Sequence, residues 1–214
     1  MTAAGSGGIA ALVLCGGRAT RMGGIDKCLA RLGQTTLLGS ALARLRPQVK
    51  HMAISANGDP TRFDVFGLPV LADPVPDFQG PLAGILAGLQ WASGLDQVDA
   101  LLTTAGDTPF VPLDLAARLF GARSRDPDAI AVASSGERRH PIVALWPIAL
   151  VDDLRHFLDT SDRRSVAAFQ AGRRTIDVPF DPVTLGMHTV DPFLNINTHS
   201  DHAEAERLLT GATR

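Results

Sequence analysis

The sequence predicts an α/β fold whose central sheet is mostly parallel. Along the 214 residues, short apolar runs alternate with longer segments of helical periodicity, which is the pattern of βαβ units. The first apolar run has no polar residue, as expected for a strand covered by helices on both faces. Hydrophobic residues make up 45% and charged residues 20% of the chain, so we expect a folded core and exclude global disorder.

The same patterns predict the elements in order. The predicted strands cover residues 9–15, 51–55, 68–71, 100–104, 129–133, 141–146 and 175–178. The predicted helices cover residues 37–45, 81–92, 113–121, 149–158 and 200–209. Pro112 and Asp114 are expected to open the third helix, and Asn197 or Thr198 to cap the last. No Ser/Gly/Pro-rich linker divides the chain, so we predict one domain over residues 1–214 with a flexible N-terminus at 1–8.

Charge and cysteine content exclude several classes of partner. Lys plus Arg is 20 and Asp plus Glu is 22, so the net charge of -2 provides no bulk positive field for nucleic acid. Two cysteines are too few for a disulfide framework and are typical of a reducing compartment. The apolar run at 9–15 lacks a preceding positive segment, and the run at 81–95 is too short to span a membrane. We therefore expect a cytoplasmic protein with no nucleic-acid or membrane partner.

A glycine-rich, positively charged loop follows the first predicted strand. Ligands of parallel α/β sheets bind beyond the carboxyl ends of the strands. Gly16 and Gly17 allow the backbone to turn and bring its N–H groups close to an anion. The loop carries three cations, Arg18, Arg21 and Lys27, and one carboxylate, Asp26, so its local charge is +2 (three minus one). The loop suits a triphosphate; the alternative is a surface loop with incidental charges.

Two widespread phosphate-binding loops do not match this segment. The chain has no G-x-x-x-x-G-K-[ST] sequence, so the loop is not of the Walker A type. Five residues separate Gly17 from Gly23, so the G-x-G-x-x-G dinucleotide fingerprint is absent too. A dehydrogenase or another dinucleotide-binding protein is therefore not expected.

The loop, L-x-G-G-x-x-x-R-M-G-G-x-D-K, resembles the signature of the MobA-type molybdenum cofactor guanylyltransferases. The resemblance runs from about residue 9 to residue 209 through Asp73, Gly80-Pro81-Leu82-Ala83-Gly84, Gly106-Asp107-Thr108-Pro109-Phe110, Arg139-His140-Pro141 and Asn195-Ile196-Asn197-Thr198. It implies a three-layer αβα, Rossmann-like nucleotidyltransferase fold with a mostly parallel central sheet. It also implies transfer of GMP from GTP to molybdenum-molybdopterin, with release of pyrophosphate.

The resemblance implies three catalytic residues. Arg21 and Lys27 would neutralise the phosphates, and Lys27 would stabilise charge near the α-phosphate, because such chemistry depends on positioning and charge neutralisation. Asp107 would bind Mg²⁺, a hard cation that prefers carboxylates, phosphates and water. The simpler alternatives are a solvated loop lysine and an Asp that forms the turn before Pro109.

Nucleotide and pterin contacts are implied in the same way. The nucleotide-binding set comprises Leu14, Cys15, Gly16, Gly17, Lys27, Ser55, Asn57, Asp73 and Asp107. The pterin-binding set comprises Gly80, Pro81, Arg139, His140, Asn195 and Asn197, and Arg163 and Arg164 are further candidates for the acceptor phosphate. Asn195 and Asn197 face the same side of an extended segment and offer amide donors and acceptors. The alternatives are an Asx turn at Asp73, close helix packing at the Gly80 segment and capping by the asparagines.

Cysteine and histidine positions add weaker signals. Cys15 and Cys28 stand where the family has Ala and Gly; they could lie close together, and Cys28 would be strained if its backbone needed a positive φ. His199 and His202 have metal-ligand spacing, although a solvent-facing pair is the simpler interpretation.

Three other functions remain open from the sequence. A molybdopterin cytidylyltransferase would carry Ala-Ala-Gly and Gly-Asp-Gln-Pro in place of Cys15-Gly16-Gly17 and Gly106-Asp107-Thr108-Pro109. A sugar-phosphate nucleotidyltransferase would place Pro where Asp26 stands. A non-catalytic carrier of pterin or nucleotide would not require the metal-binding acid. Transient contacts with cofactor-synthesis proteins or apo-molybdoenzymes are also expected.

Overall fold

The structure is a computed structural model that describes residues 8–16, 26–74 and 80–211, with side chains to residue 209. The strands in these ranges are β1 (Gly8–Leu14), β2 (Arg31–Leu32), β3 (Thr35–Thr36), β4 (His51–Ser55), β5 (Val70–Leu71), β6 (Val98–Ala105), β7 (Ile130–Ser135), β8 (Arg138–Pro147), β9 (Thr175–Pro179), β10 (Val183–Leu185) and β11 (His188–Val190). The α-helices are α1 (Leu37–Leu45), α2 (Pro81–Ser93), α3 (Leu115–Ala122), α4 (Val151–Thr160), α5 (Val166–Ala171) and α6 (His199–Gly211).

Seven of these strands form the central sheet, in the order β5-β4-β1-β6-β8-β7-β9. Neighbours from β5 to β6 are parallel, and β9 is parallel to β7. β8 is antiparallel to both β6 and β7. The predicted, mostly parallel sheet is therefore confirmed, and the strand predicted at 141–146 is its reversed member. Within the described ranges, no helix is long and apolar enough to cross a membrane.

Helices cover both faces of the sheet, because successive side chains of each strand point to opposite faces. Ala11 and Val13 of β1 lie in a core shared with α1 and α3. Ala10 and Leu12 lie in the opposite core, shared with α2, α4 and α5. These two cores are the interior of the three-layer αβα fold that the sequence predicts.

A smaller third core attaches α6 to the two small hairpins and to the chain after β6. Leu208 of α6 is buried together with Leu32 of β2, Phe110 and Val190 of β11. Ile196, just before α6, is only 1% exposed and belongs to the same core. This packing places the segment before α6 beside the end of β6.

The glycines of α2 let the helix lie directly on the strands. A Cβ at Gly84 would stand 2.4 Å from Ser55 Oγ and 2.8 Å from Leu14 Cδ2. A Cβ at Gly88 would stand 2.6 Å from Leu12 Cδ2 and 2.9 Å from Leu101 Cδ2. All four separations are far below van der Waals contact, so close packing of helix on sheet accounts for these two glycines.

The start of α3 differs from the prediction. The helix begins at Leu115, and Asp114 is an N-cap residue whose side chain makes no capping bond. Gln48 caps it instead, because its Oε1 accepts from Ala116 N at 2.9 Å and its Nε2 donates to Pro112 O at 2.8 Å. Pro112 thus lies before the helix, held by a side chain distant in sequence.

Other boundaries shift by a few residues. The helix predicted at 149–158 starts as the 3₁₀ turn Ile148–Leu150 and continues as α4. Residues 1–7 of the predicted flexible N-terminus lie outside the described ranges, and Gly8 already belongs to β1. The short helix α5 and the hairpins β2–β3 and β10–β11 carry no clear periodicity and were not predicted.

The substitution Gly88→Ala should lower the free energy of unfolding. The added Cβ overpacks a fully buried contact, which costs about 1–3 kcal/mol, while the gain in helix propensity recovers about 1 kcal/mol. We expect a net loss of up to about 2 kcal/mol in urea unfolding. Gly121→Ala is the matched control: this helical glycine has no neighbour within 4 Å of an added Cβ, so the variant should be slightly stabilised. Equal shifts in both variants would contradict the packing argument.

Candidate functional site

Three neighbouring strands end together and supply the floor of the candidate site. Leu14, the last residue of β1, pairs with Ser55 of β4 and Ala105 of β6. The backbone continues this pairing beyond the strands, since Cys15 N donates to Ser55 O at 2.8 Å and Gly106 N donates to Leu14 O at 2.9 Å. The loops after β1, β4 and β6 therefore leave the sheet side by side.

A four-residue polar cluster lies at this edge. Lys27 Nζ contacts Asp107 Oδ2 at 2.5 Å and Asn197 Oδ1 at 2.6 Å. Asn195 Nδ2 donates to Asp107 Oδ1 at 3.1 Å. The side chains of Lys27 and Asp107 are 24% and 20% exposed, so the ion pair is partly shielded yet open to a ligand. The structure thus brings together residues that the sequence assigned to three separate motifs.

The segment before α6 presents the two asparagines to this cluster. Ile196 N donates to Asp107 O at 3.0 Å, which anchors the segment to the end of β6. Thr198 Oγ1 accepts from Asp201 N, and Asp201 Oδ2 accepts from the backbone N–H groups of Asn197 and Thr198. This reciprocal arrangement is a capping box, so the predicted cap of the last helix is found at Thr198.

A second polar group lies where β4 and β5 end. Asn57 Nδ2 donates to Asp73 Oδ2 at 2.7 Å, and Asp73 N donates to Asn57 Oδ1 at 2.9 Å. Arg62 links this pair to the loop after β1, because its guanidinium donates to Asn57 O at 2.5 Å and forms a 2.7 Å ion pair with Asp26. Asp26 directly precedes Lys27, so the two polar groups are connected.

Some predicted nucleotide-binding residues are not described or not exposed. Gly17 and the predicted catalytic residue Arg21, like most of the glycine-rich loop, lie outside the described residues. Leu14 is the last residue of β1, and Cys15 and Gly16 follow it at the edge of the sheet where the cluster lies. Ser55 is 3% exposed and its hydroxyl packs against α2, so its side chain is buried beneath the site.

The predicted pterin-binding residues are spread over a wider area. Gly80 and Pro81 are exposed at the start of α2, and a Cβ at Gly80 would lie 3.8 Å from Arg164 O. Arg139 forms a 2.6 Å ion pair with Asp177 of β9. His140 is only 7% exposed, and its ring contacts a buried hydroxyl rather than the polar cluster. Only the two asparagines of this set touch Lys27 or Asp107 among the contacts of the described residues.

The two cysteines meet under the cluster, as their sequence positions suggested. A Cβ at Gly106 would stand 2.6 Å from Cys15 Sγ and 3.1 Å from Cys28 Cβ, so the glycine makes room for both thiols. A hydrogen bond with Cys28, together with burial, raises the pKa of Cys15 well above its ordinary range. The thiol is therefore protonated at neutral pH and a poor nucleophile. Cys28 has no positive φ, so it causes no backbone strain.

The donor set fits one mode of divalent-metal binding. No group of three or more His, Cys, Asp or Glu side chains that could cage a metal occurs among the described residues, and His202 contacts Arg31 O. A magnesium ion is commonly held by one or two carboxylates together with substrate phosphates and water. Asp107 meets that requirement, since each of its oxygens accepts one bond and keeps a lone pair available.

Several residues of the site could not be found by motif. Arg62 lies in a 3₁₀ segment with no resemblance to a ligand loop, and Asp26 was considered for its charge and its place before Lys27, not as a partner of Arg62. Ser135 and Asp191, which contact each other, also escaped notice. Each is a common surface residue type, and only its partner in space distinguishes it.

The fold and this strand-end cluster define a nucleotidyltransferase-like α/β protein. The family model described as the MobA-like NTP transferase domain matches residues 11–175, and the chain belongs to this family. A molybdenum cofactor guanylyltransferase of Mesorhizobium japonicum is 52% identical over 205 residues, covering 96% of this chain and 98% of the relative. A molybdenum cofactor guanylyltransferase of Bradyrhizobium sp. is 44% identical over 209 residues, covering 97% of this chain and 96% of the relative.

A solved structure supports the same fold. The crystal structure of molybdopterin-guanine dinucleotide biosynthesis protein A from Archaeoglobus fulgidus superposes with a TM-score of 0.71. Its sequence is 18% identical, and the match covers 94% of this chain and 98% of that one. At this identity the likeness concerns the architecture, which is the predicted nucleotidyltransferase fold.

Protonation of His140 should make stability depend on pH. Burial lowers the pKa of His140 below its ordinary value, reinforced by Arg138 and opposed by Asp191. The unfolded chain therefore binds this proton first as pH falls below about 6.5, and the free energy of unfolding decreases from there through the native pKa. His140→Gln should remove this dependence. Urea unfolding at pH 7.5 and pH 5 measures the difference in free energy of unfolding between the natural chain and the variant. This difference should be smaller at pH 5; an equal difference at both pH values would contradict the expectation.

Proposed function

We propose that this chain transfers GMP from GTP to molybdenum-molybdopterin, forming molybdopterin guanine dinucleotide and pyrophosphate. The observation that carries the proposal is the Lys27–Asp107 ion pair, held by Asn195 and Asn197 at the ends of β1 and β6. The chain is a nucleotidyltransferase of molybdenum cofactor biosynthesis by family, and its 52% identical relative is named a molybdenum cofactor guanylyltransferase.

The cluster suits nucleotidyl transfer because this reaction needs charge neutralisation more than covalent catalysis. An oxygen of the terminal phosphate of the pterin attacks the α-phosphorus of GTP; the bond to the β-phosphate oxygen breaks, and pyrophosphate leaves with its electron pair. Asp107 and Asn197 take two of the three N–H donors of Lys27 among the described contacts, and a third can reach a phosphate oxygen. Arg21, in the same loop, is proposed to neutralise the remaining phosphates.

Asp107 is the proposed ligand for Mg²⁺. The bound ion would neutralise phosphate charge that develops on the leaving group. The chain itself orients the carboxylate, because Asn195 donates to Oδ1, Lys27 to Oδ2, and Ile196 N to the backbone carbonyl. These three contacts hold the carboxylate at the end of β6.

The nucleotide is proposed to lie across the ends of β1 and β4. The backbone of residues 14–17 would hold its phosphates, and the reciprocal Asn57–Asp73 pair would meet its ribose or base. A carboxylate beside an amide can accept from and donate to the polar edge of guanine. Ser55, which is buried, is proposed to support this floor rather than touch the nucleotide.

The pterin is proposed to approach from the side of the asparagines. Asn195 and Asn197 lie between the Lys27–Asp107 pair and the start of α6, and Asn197 is exposed. Gly80 and Pro81 are exposed at the start of α2, where a helix N-terminus favours an anion, and Arg139 is a further candidate. The cytoplasmic location and the transient contacts with cofactor-synthesis proteins or apo-molybdoenzymes stay predictions from the sequence.

Lys27→Ala should lower kcat/KM for GMP transfer by about 100-fold or more, since a positioned charge at the transferred phosphorus is lost. The assay is pyrophosphate release from Mg²⁺ and GTP with molybdenum-molybdopterin. Lys50→Ala, which removes an exposed lysine just before β4, at the edge of the sheet opposite the site, is the matched control and should retain full activity. Full activity of the Lys27 variant would overturn the proposed site.

Asp73→Ala should weaken binding of GTP by about tenfold or more, because a charge-assisted hydrogen bond contributes about 1.5–3 kcal/mol. Calorimetric titration with the magnesium complexes of GTP, CTP and ATP measures both this loss and the base preference. Asp64→Ala is the control, because Asp64 is exposed in the neighbouring 3₁₀ segment. Tighter binding of CTP than of GTP by the natural chain would instead indicate a cytidylyltransferase.

A further inference from the structure

A buried polar network lies behind the candidate site and takes no part in the proposed chemistry. Ser135, the last residue of β7, has its Oγ 2.7 Å from Nε2 of His140 on β8 and donates to Asp191 Oδ1 at 2.9 Å. Ser135 and His140 are 8% and 7% exposed. The network therefore joins the β7–β8 hairpin to the chain that follows β11.

The proton positions in this network follow from the chemistry of its members. An ionised Asp191 can only accept, so the single hydroxyl proton of Ser135 points to it. His140 Nε2 must then carry a proton and donate to Ser135 Oγ. Burial lowers the pKa of His140, so the ring is neutral at pH 7 in the tautomer protonated at Nε2. The direction of both bonds is thereby set, from His140 through Ser135 to Asp191.

Asp191 organises the turn that follows it. Its Oδ1 also accepts from Phe193 N at 2.8 Å, and its carbonyl accepts from Leu194 N at 3.1 Å. The ring of Phe193 packs on His140 with centroids 4.8 Å apart and on Phe180 with centroids 5.4 Å apart. The turn is thus held by two polar bonds and by an aromatic contact with the same histidine.

The far end of this turn reaches the polar cluster. We define residues 191–197 as the arm. Asp191 holds one end of the arm, and Asn195, Ile196 and Asn197 contact Asp107 or Lys27 at the other. Three residues separate Asp191 from Asn195, so a displacement at the anchor is transmitted to the asparagines over a short, hydrogen-bonded turn.

We propose that Ser135, His140 and Asp191 are positioning residues, which hold the arm so that Asn195 and Asn197 meet Lys27 and Asp107. The effect on catalysis rests on the proposed function; the effect on the arm does not. The assignment gives His140 a role through Ser135 and Asp191 in place of the direct pterin contact predicted from the sequence. It also explains a buried histidine with a defined tautomer in a hairpin outside the site.

The acidic cavity beside the arm does not provide an alternative assignment. It measures about 320 Å³ between β11 and α6 and is lined in part by Asp191, Asp201 and Glu204. Asp201 is already engaged in the helix cap, and Asp191 in the network. Glu204 forms a 3.0 Å ion pair with Arg207, so each of the three carboxylates already has a partner within the protein.

Ser135→Ala and Asp191→Ala are the test variants, because each removes the link between hairpin and arm. Both should lower kcat/KM for molybdenum-molybdopterin by about 10- to 100-fold, the cost expected when catalytic groups are misplaced. Asp191→Asn keeps an Oδ1 acceptor for Ser135 and Phe193 N and should recover to within about threefold of the natural chain. Binding of magnesium GTP should fall less than kcat/KM in Ser135→Ala and Asp191→Ala, because the Asn57–Asp73 contacts lie outside the arm.

Trp146→Phe is the matched control for loss of a buried bond. Trp146 lies on the same strand as His140, and its Nε1 donates to Thr103 Oγ1 at 2.8 Å on the opposite face of the sheet. This variant loses one buried hydrogen bond and should keep its activity. A loss of activity in Trp146→Phe equal to that in Ser135→Ala would show a general response to destabilisation and overturn the proposal.

A double-mutant cycle separates positioning from a purely structural role. In a background carrying Asn195→Ala and Asn197→Ala, Ser135→Ala should reduce kcat/KM by less than about threefold, because the arm then has no asparagines to position. The same reduction in both backgrounds would overturn the proposal.

Amide hydrogen exchange provides a readout that does not depend on the reaction. Exchange at Phe193 and Ile196 should be at least about tenfold faster in Ser135→Ala than in the natural chain, and unchanged in Trp146→Phe. Unchanged exchange in Ser135→Ala would overturn the proposal even if GMP transfer is observed. Absence of GMP transfer by the natural chain would refute the proposed function alone, while faster exchange would still support the anchoring of the arm.

Discussion

The ion pair between Lys27 and Asp107 is the interaction on which the candidate site depends. It joins segments 80 residues apart, one after β1 and one after β6, and its partial burial makes it stronger than a fully solvated pair. The parallel pairing of β1 with β6 brings the two strand ends together, and the side chains need only close the last few ångströms. Asp107 also binds the arm, because its carbonyl accepts from Ile196 N and its carboxylate accepts from Asn195 Nδ2. This one residue therefore positions both the loop after β1 and the arm.

Close packing on both sides supports this arrangement. On one face, the glycines of α2 let the helix contact β1 and β4 directly, which fixes the position of the strand ends. On the other, Gly106 leaves room for the thiols of Cys15 and Cys28. Interiors packed this densely tolerate little change in volume, so these close contacts make the backbone beneath the site rigid. A rigid floor is what a reaction governed by positioning requires.

Much of the fold follows from local pattern. Short apolar runs and helix-length spacing predicted the seven strands of the central sheet, because they depend on which residues must leave water, and the family resemblance implied its three layers. The antiparallel direction of β8 was not predictable, since a short apolar strand carries no sign of its direction. The start of α3 was also missed, because the side chain that caps it, Gln48, comes from a distant segment.

For the site, the amino-acid sequence by itself determined which residue types are available and in which order: a basic loop after β1, an acid after β6 and two asparagines before α6. Only the tertiary structure decided which of them meet. It joined Lys27 with Asp107, buried His140 away from the cluster, and connected Asp26 to Arg62. The physical reason is that hydrophobic patterning and turn chemistry are set by residues close together in the sequence. A hydrogen bond or ion pair between distant segments forms only when the fold has placed both partners in space.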